Sequence, residues 1–451
     1  MTRSGRRGWK GAKRPGGRAG SGPDTPERVP SARDRGVNHL GPISLLRGAS
    51  DLRLLVLATF GSGLGTYLAA LALTVHVYDV TGSPTWVGAL LIVDFLPMVA
   101  IGLALGPLVD RFSRRRLMIA SDLLRVAVFC ALPFVDRPGL IVVLAGVTGV
   151  ATGFFRPAAH AALPNLVPPA DLATANSLLQ TVENLAWLIG PVAGGALVAT
   201  WGTDVAYWIN ALTFLVSALL LLRIAESALR GGDMMSRGHW RDVGDGLALV
   251  LRSRPLFMVL VVWSVAIVGN AFFNVSEIFF AKDVLDSGDL GFGILVGATG
   301  LGLTVGGFFG GRWIDRFGIM RVYIASLALW GAGVAAAALS PWLALAAAFV
   351  AVGLVGNGAA VVCNLLLVQR GAPDHLRGRA FTVIMSANYL LLGLGMAAAG
   401  PLTEAVGARW LWGAAAATYG LATLLAVVLS RGIVLAAADG RVAEPSPASS
   451  I

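Results

Sequence analysis

Apolar positions in this chain run in long unbroken blocks, with no strand-like alternation. Twelve blocks stand out, at about 54–78, 86–108, 117–135, 140–163, 172–200, 205–222, 255–281, 290–311, 320–339, 343–367, 380–404 and 409–430. Roughly 20 apolar residues of helix cross about 30 Å of hydrocarbon, so each block is long enough or nearly so. The connections at 136–139 and 340–342 are so short that the helices they join must be antiparallel neighbours. The pattern predicts an all-α polytopic membrane protein with twelve transmembrane helices. The polar stretches divide it into a tail (1–50), a first bundle (51–222), a linker (223–254), a second bundle (255–430) and a tail (431–451). Within the linker, 239–252 has the composition of an amphipathic helix at a membrane surface.

The two bundles repeat each other. The second block ends Gly102-Leu103-Ala104-Leu105-Gly106-Pro107-Leu108-Val109-Asp110-Arg111-Phe112-Ser113, followed by Arg114, Arg115 and Arg116. The eighth ends with Gly307, Gly311, Asp315, Arg316 and Phe317, each 205 residues beyond its counterpart. Tyr78-Asp79-Val80 after the first block likewise parallels Lys282-Asp283-Val284 after the seventh. Two six-helix halves in parallel orientation imply a pseudo-twofold along the membrane normal, with a cavity between them. Glycines four apart (Gly102 and Gly106, Gly307 and Gly311) let a neighbouring helix approach closely. The acid beyond them can face a helix N-terminus. The adjacent arginine can reach a second carboxylate, for which Asp122 is the nearest candidate, and such a contact would latch one side of the bundle.

Composition agrees with the blocks: 56% of the 451 residues are hydrophobic and 13% charged, against about a quarter charged in soluble domains. The net charge of +10 raises nucleic-acid binding, but its location argues against that. Residues 1–50 carry eleven Lys and Arg against three acids, which is +8 of the total. The segment is rich in Gly, Pro and Ser and is expected to be disordered, attracting anionic membrane lipid at about 1 kcal/mol per basic residue. It lacks the apolar core of a signal peptide, so no cleavage is expected; Val29 and Val37 are alternative initiation points. All but four of the 35 Lys and Arg fall on the side of the two termini. Arg137, Lys282 and Arg409 lie on the other side, and Arg125 lies within a helix. The positive-inside rule then places both termini in the cytoplasm. Cys130 and Cys363 sit in apolar helices of different halves and suggest packing, with no disulfide framework or metal site.

At the loop after the second block the sequence resembles the major facilitator superfamily. That family's signature Gly-x-x-x-Asp-Arg-x-Gly-Arg-Arg is matched by Gly106, Asp110, Arg111, Arg114 and Arg115, with Ser113 in place of Gly. The fifth block adds Ala186-x-x-x-Gly190-Pro191-x-x-Gly194-Gly195, similar to the family's antiporter motif with Ala for the first Gly. Its counterpart Met396-x-x-x-Gly400-Pro401-x-x-Glu404 is degraded, an asymmetry found in the family's exporters. Residues 79–84 and 117–125 further resemble the drug–proton antiporter branch of macrolide and siderophore (enterobactin-type) exporters. The resemblance covers about residues 50–432 and implies secondary active transport by alternating access, energised by a proton gradient and needing no cofactor. Some drug–proton antiporters carry an arginine in the middle of the fourth helix. Ala145 stands near that place here, so that relay is not carried over.

Setting aside residues near the ends of the blocks, the ionisable residues read as lying within the membrane are Asp94, Asp122, Arg125, Glu183 and Glu277. Each costs up to ~2.5–3.5 kcal/mol at the bilayer centre and needs a partner, a water-filled cavity or a neutral form. Asp122 and Arg125, three apart, can pair with each other or with loop arginines and read as gating residues together with Gly311, Asp315 and Arg316. Asp94, Glu183 and Glu277 have no cation three or four positions away, Lys282 being the nearest to Glu277. Such a carboxyl can pass between its charged and neutral forms, as proton coupling requires, or can simply hydrogen-bond a neighbouring helix. The substrate cavity is expected to be apolar with few charges, and Tyr67, Trp187, Phe272, Phe273 and Tyr389 are its candidate lining. No phosphate-binding loop occurs in a chain with three lysines, and no enzyme motif is found. The expected protein is a monomeric bacterial inner-membrane exporter of small amphipathic molecules such as drugs or antibiotics. Uptake of a nutrient by proton symport, or a sensor that does not transport, are the alternatives.

Overall fold

The computed structural model describes residues 42–104, 113–226, 247–373, 376–431, 434–435 and 442–443. Gly106, Asp110 and Arg111 lie outside them, as do residues 1–41 and most of the linker; of the stretch 239–252, residues 247–252 are helical. After a short helix at Pro42–Gly48 come α1 (Ser50–Thr81), α2 (Pro84–Ala104), α3 (Arg114–Ala131) and α4 (Pro138–Leu166). A single run Leu172–Leu222 follows, but Gly202 has φ 81° and ψ 175°, which breaks it into α5 (172–201) and α6 (203–222). That backbone region is open essentially to glycine alone. The second half holds α7 (Arg254–Phe279), continued by a π-helical turn Phe280–Val284, then α8 (Gly288–Phe317) and α9 (Ile319–Ala338). Next come α10 (Leu343–Gly371), α11 (Arg377–Val406) and α12 (Ala408–Leu429). A two-residue antiparallel ribbon joins Val434–Leu435 to Val442–Ala443 in the C-terminal tail.

The architecture is therefore an all-α bundle of twelve membrane-spanning helices in two pseudo-symmetric sets of six. Only helices satisfy every backbone polar group within a single segment in hydrocarbon, which is why apolar blocks of this length fold this way. Pro138 and Pro255 sit in the first turns of α4 and α7, where a missing N–H costs nothing. In the first half α1 packs on the α5–α6 run, and α4 packs between α2 and α3. In the second, α10 lies against α8 and α9, and α12 against α7 and α9. Stacked rings fill the second core: Trp330 on Tyr419 at 4.0 Å and Phe280 on Trp412 at 3.9 Å between ring centres.

The end of the bundle where α1 gives way to α2 is called distal, and the end where α1 begins is proximal. Trp201, Trp342 and Trp410 are exposed at the distal end, as expected of a belt at a membrane–water interface. Close helix contact on α8 falls on Gly302, Gly306 and Gly310, not on the pair singled out from the sequence. A Cβ on Gly306 would collide with the carbonyl of Val355 in α10, and one on Gly310 would come within 3.3 Å of Val362. Gly307 and Gly311 face open space. A shift of one residue turns a helix by about 100°, enough to move the packing stripe off the repeated glycines.

Candidate functional site

Two seams join the halves at the distal end. Along α5, Gly190 and Gly194 admit α1, since added Cβ atoms would lie 2.7 Å from Tyr67 Cβ and 2.9 Å from the Leu68 carbonyl. Gly195 faces the other half, where its Cβ would lie 2.8 Å from the Cα of Gly293 in α8. Pro191 stays helical, and its carbonyl lies beside Gly293. The second seam brings α11 to α2. Gly400 lies against Thr85, Gly88 against the Met396 carbonyl, and Glu404 accepts hydrogen bonds from the Ser83 hydroxyl at 2.7 Å and the Thr85 N–H at 3.3 Å.

Between these seams sits an ionic cluster that the sequence repeat anticipates only in part. Lys282 bridges Asp79 at 2.7 Å and Asp289 at 2.8 Å, and Tyr78 donates to Asp283. Tyr78 and Lys282 occupy equivalent positions in the repeat, as do Asp79 and Asp283, so each half reaches for the acid of the other. Lys282, the cation nearest to Glu277 in the sequence, pairs with Asp79 and Asp289 instead. Glu277 is buried, one turn distal of Asn274 on α7, with Oε1 unpartnered among the described residues.

On the proximal side of the seams the halves enclose a cavity of about 410 Å³, within the range of small-molecule sites. Its lining corrects the expectation of an apolar chamber. Thr59, Ser62, Thr66 and Tyr67 reach it from α1 at helical spacing, and Asn270 and Asn274 from α7. Asp94, Arg125, Arg156 and Glu183 bring charge from four helices of the first half. Trp187 and Tyr67 are in the wall as anticipated, while Phe272, Phe273 and Tyr389 are not among the lining residues. Phe273 instead stacks on Trp412 at 4.5 Å in the second core.

The charges pair with one exception. Arg125 binds Asp122 at 2.6 Å with both side chains buried, and its guanidinium lies 4.9 Å from the ring centre of Phe155 and 4.1 Å from that of Phe214. Of the two pairings open to Asp122, the structure makes the one within α3. Arg115, farther out on α3, donates to the carbonyls of Leu221 and Leu222 at the end of α6, while Asp315 and Arg316 lie exposed at the proximal end of α8. Glu183 is held by Arg156 at 2.9 Å and His160 at 3.2 Å, both on α4. Spacing along one helix does not reveal these partners, because it says nothing of the neighbour packed beside it. A signal is nonetheless present: Thr148, Thr152, Arg156 and His160 recur every fourth residue and form one polar stripe on α4. Asp94 is the exception. The Thr148 hydroxyl approaches it at 3.5 Å, and among the described residues no cation lies within ion-pair distance.

The family model for the Major Facilitator Superfamily matches residues 55–288 and 271–447. The chain belongs to that superfamily. Among curated relatives, the multidrug efflux pump Tap of Mycolicibacterium fortuitum is 28% identical over 79% of this chain and 90% of its own length. Macrolide efflux protein A of Streptococcus pyogenes is 21% identical over 75% of this chain and 85% of its own. Among solved structures, a mutant form of the nucleoside transporter NupG superposes with a TM-score of 0.69 at 14% identity, covering 84% of this chain and 99% of that one. A bacterial homologue of the iron transporter ferroportin in an inward-facing state reaches 0.67 at 15% identity, covering 84% and 98%. These likenesses show the superfamily's fold. The chain is a membrane transporter of this type and not an enzyme.

Proposed function

We propose that this transporter exports small amphipathic compounds in exchange for protons, with Asp94 as the group that carries the proton. The observation that carries the reading is the charge pairing around the cavity. Asp122 and Glu183 are paired with arginines, so binding a proton would cost each an ion pair. Among the described residues Asp94 has a hydroxyl neighbour, Thr148, and no cation, so it can alternate between a proton and a cationic substrate at little cost. With both termini in the cytoplasm, the proximal end faces inward, and the joined distal seams correspond to an inward-facing state ready to load from the cell. The efflux relatives support outward transport, and the bacterial relatives an inner-membrane location. Gly106, Asp110 and Arg111, with Arg114 and Arg115, would act as the latch of the opposite state.

The test is transport in proteoliposomes under an imposed pH gradient. Asp94→Asn keeps size and hydrogen bonding but removes the titrating proton. It is expected to bind substrate more weakly, because the carboxylate that meets the cationic substrate is gone, yet still to support downhill exchange while losing uphill, protonophore-sensitive efflux, so that accumulation falls to the equilibrium level. Glu183→Gln and Glu277→Gln separate the three acids. Uphill efflux of wild-type extent and pH dependence in Asp94→Asn would end the assignment and move it to Glu277.

A further inference from the structure

Arg156 has donors beyond the one that meets Glu183. Its side chain is 42% exposed although it lies ten residues inside α4, whereas that of Glu183 is 9% exposed. One N–H, on Nη2, goes to Glu183 Oε2. A guanidinium has five N–H groups, and the residue lines the cavity. Glu183 has His160 as a second partner and does not need all of Arg156. Nothing comparable holds for Arg125, which is 2% exposed and enclosed by Asp122 and two phenyl rings.

The position of Arg156 relative to Asp94 gives the second half of the argument. The Asp94 carbonyl abuts Gly149, which fixes the level of Asp94 along α4. Arg156 is seven residues closer to the proximal mouth, roughly 10 Å at 1.5 Å per residue. Thr152 lies between them on the same stripe, and Asn270 and Asn274 offer neutral carboxamides from the opposite half. The cavity is therefore polarised along its length, with an acid that no described cation pairs at the inner end and a guanidinium with donors to spare nearer the mouth.

We infer that the cavity takes two-ended amphoteric compounds. A basic amine goes to Asp94 and a carboxylate or similar acidic oxygen to Arg156, with the apolar body between them against Tyr67, Trp187 and Met396. This rests on the exporter reading only in naming the cavity's occupant as cargo, and it excludes simple lipophilic cations as the preferred class. Arginine suits the role because its planar fork matches a carboxylate in two parallel hydrogen bonds.

The experiment is equilibrium dialysis of norfloxacin, which carries an amine and a carboxylate, and of its methyl ester, against the purified full-length protein in detergent. The acid should bind about tenfold tighter than the ester, the scale of one charge-assisted contact. Arg156→Gln should abolish that preference by weakening the acid alone, while Glu183→Gln, which frees Arg156, should keep or enlarge it. If Arg156→Gln does not fold, the double variant with Glu183→Gln restores charge balance and should show the same loss of preference. Equal binding of acid and ester to the wild type overturns the inference. So does an Arg156→Gln that weakens both alike, because Arg156 would then act only as the counter-ion of Glu183. Dialysis needs no gradient, so a protein that binds as stated but shows no uphill efflux would sink the exporter reading and leave this one standing.

Discussion

The two seams between the halves occupy equivalent places in the repeat yet are built from different materials. The α5–α8 seam is backbone against backbone, Gly195 against Gly293. The α2–α11 seam keeps one glycine, Gly400, and adds the Glu404 carboxylate on Ser83 and the Thr85 N–H. Where the fifth helix has Gly194, the eleventh has Glu404, so the degraded copy of the motif has exchanged close approach for a polar clasp. Parting the first seam loses dispersion contacts only, whereas parting the second also releases groups that water must then satisfy. If the halves rock, the glycine seam is suited to sliding and the carboxylate seam to opening and closing.

The difference can be broken at four points, in order of expected effect. Gly195→Val places bulk where a Cβ already meets Gly293, and overpacking of about 1–3 kcal/mol should shift the equilibrium away from distal closure some ten- to hundredfold. Transport should fall accordingly, with cysteines placed in the distal cleft becoming reactive to impermeant maleimide. Lys282→Met removes the bridge from Asp79 to Asp289. Because these groups are partly solvated, a shift of about fivefold in the same labelling assay is expected. Glu404→Gln retains an acceptor for Ser83 but loses charge, and a smaller shift, within about threefold, should follow. Gly307→Ala meets open space and should leave transport and thermal stability within error. If Gly195→Val and Glu404→Gln perturb labelling equally, the two seams are mechanically alike and the contrast fails.

The twelve helices are legible in the sequence because a hydrocarbon environment leaves the backbone almost no other choice, and the blocks are long. Their polar interruptions are less so: Arg156 and His160 lie within the fourth apolar block, but nothing in that run shows that α4 brings both to Glu183 of α5. The antiporter-type glycines are recognisable as close-approach sites, although which neighbour each admits depends on packing that a linear pattern does not contain. The cavity reads as apolar because its polar residues are spread singly over many helices. Thr59, Ser62 and Thr66 look like isolated substitutions until the helical turn aligns them. Asp94 stands out by the lack of a cation on its own helix, but Glu183 looks identical by that criterion. Only the packing of α4 on α5 tells them apart.

Gly202 has a counterpart as a single-residue reversal, since Gly407, 205 residues later, turns α11 into α12 with φ 85° and ψ 156°. Each reversal uses one residue, so no polar loop separates the two helices it joins. During synthesis such a pair has no loop to carry across the bilayer, only the charges beside the turn, Asp204 in one and Glu404 and Arg409 in the other, and it can enter as one preformed hairpin. The last pair of each half would then be delivered to the membrane as a unit. A bulkier residue at either turn would force the chain to thread its helices one by one, and the harm would show as lost insertion before any defect in the finished protein could be measured.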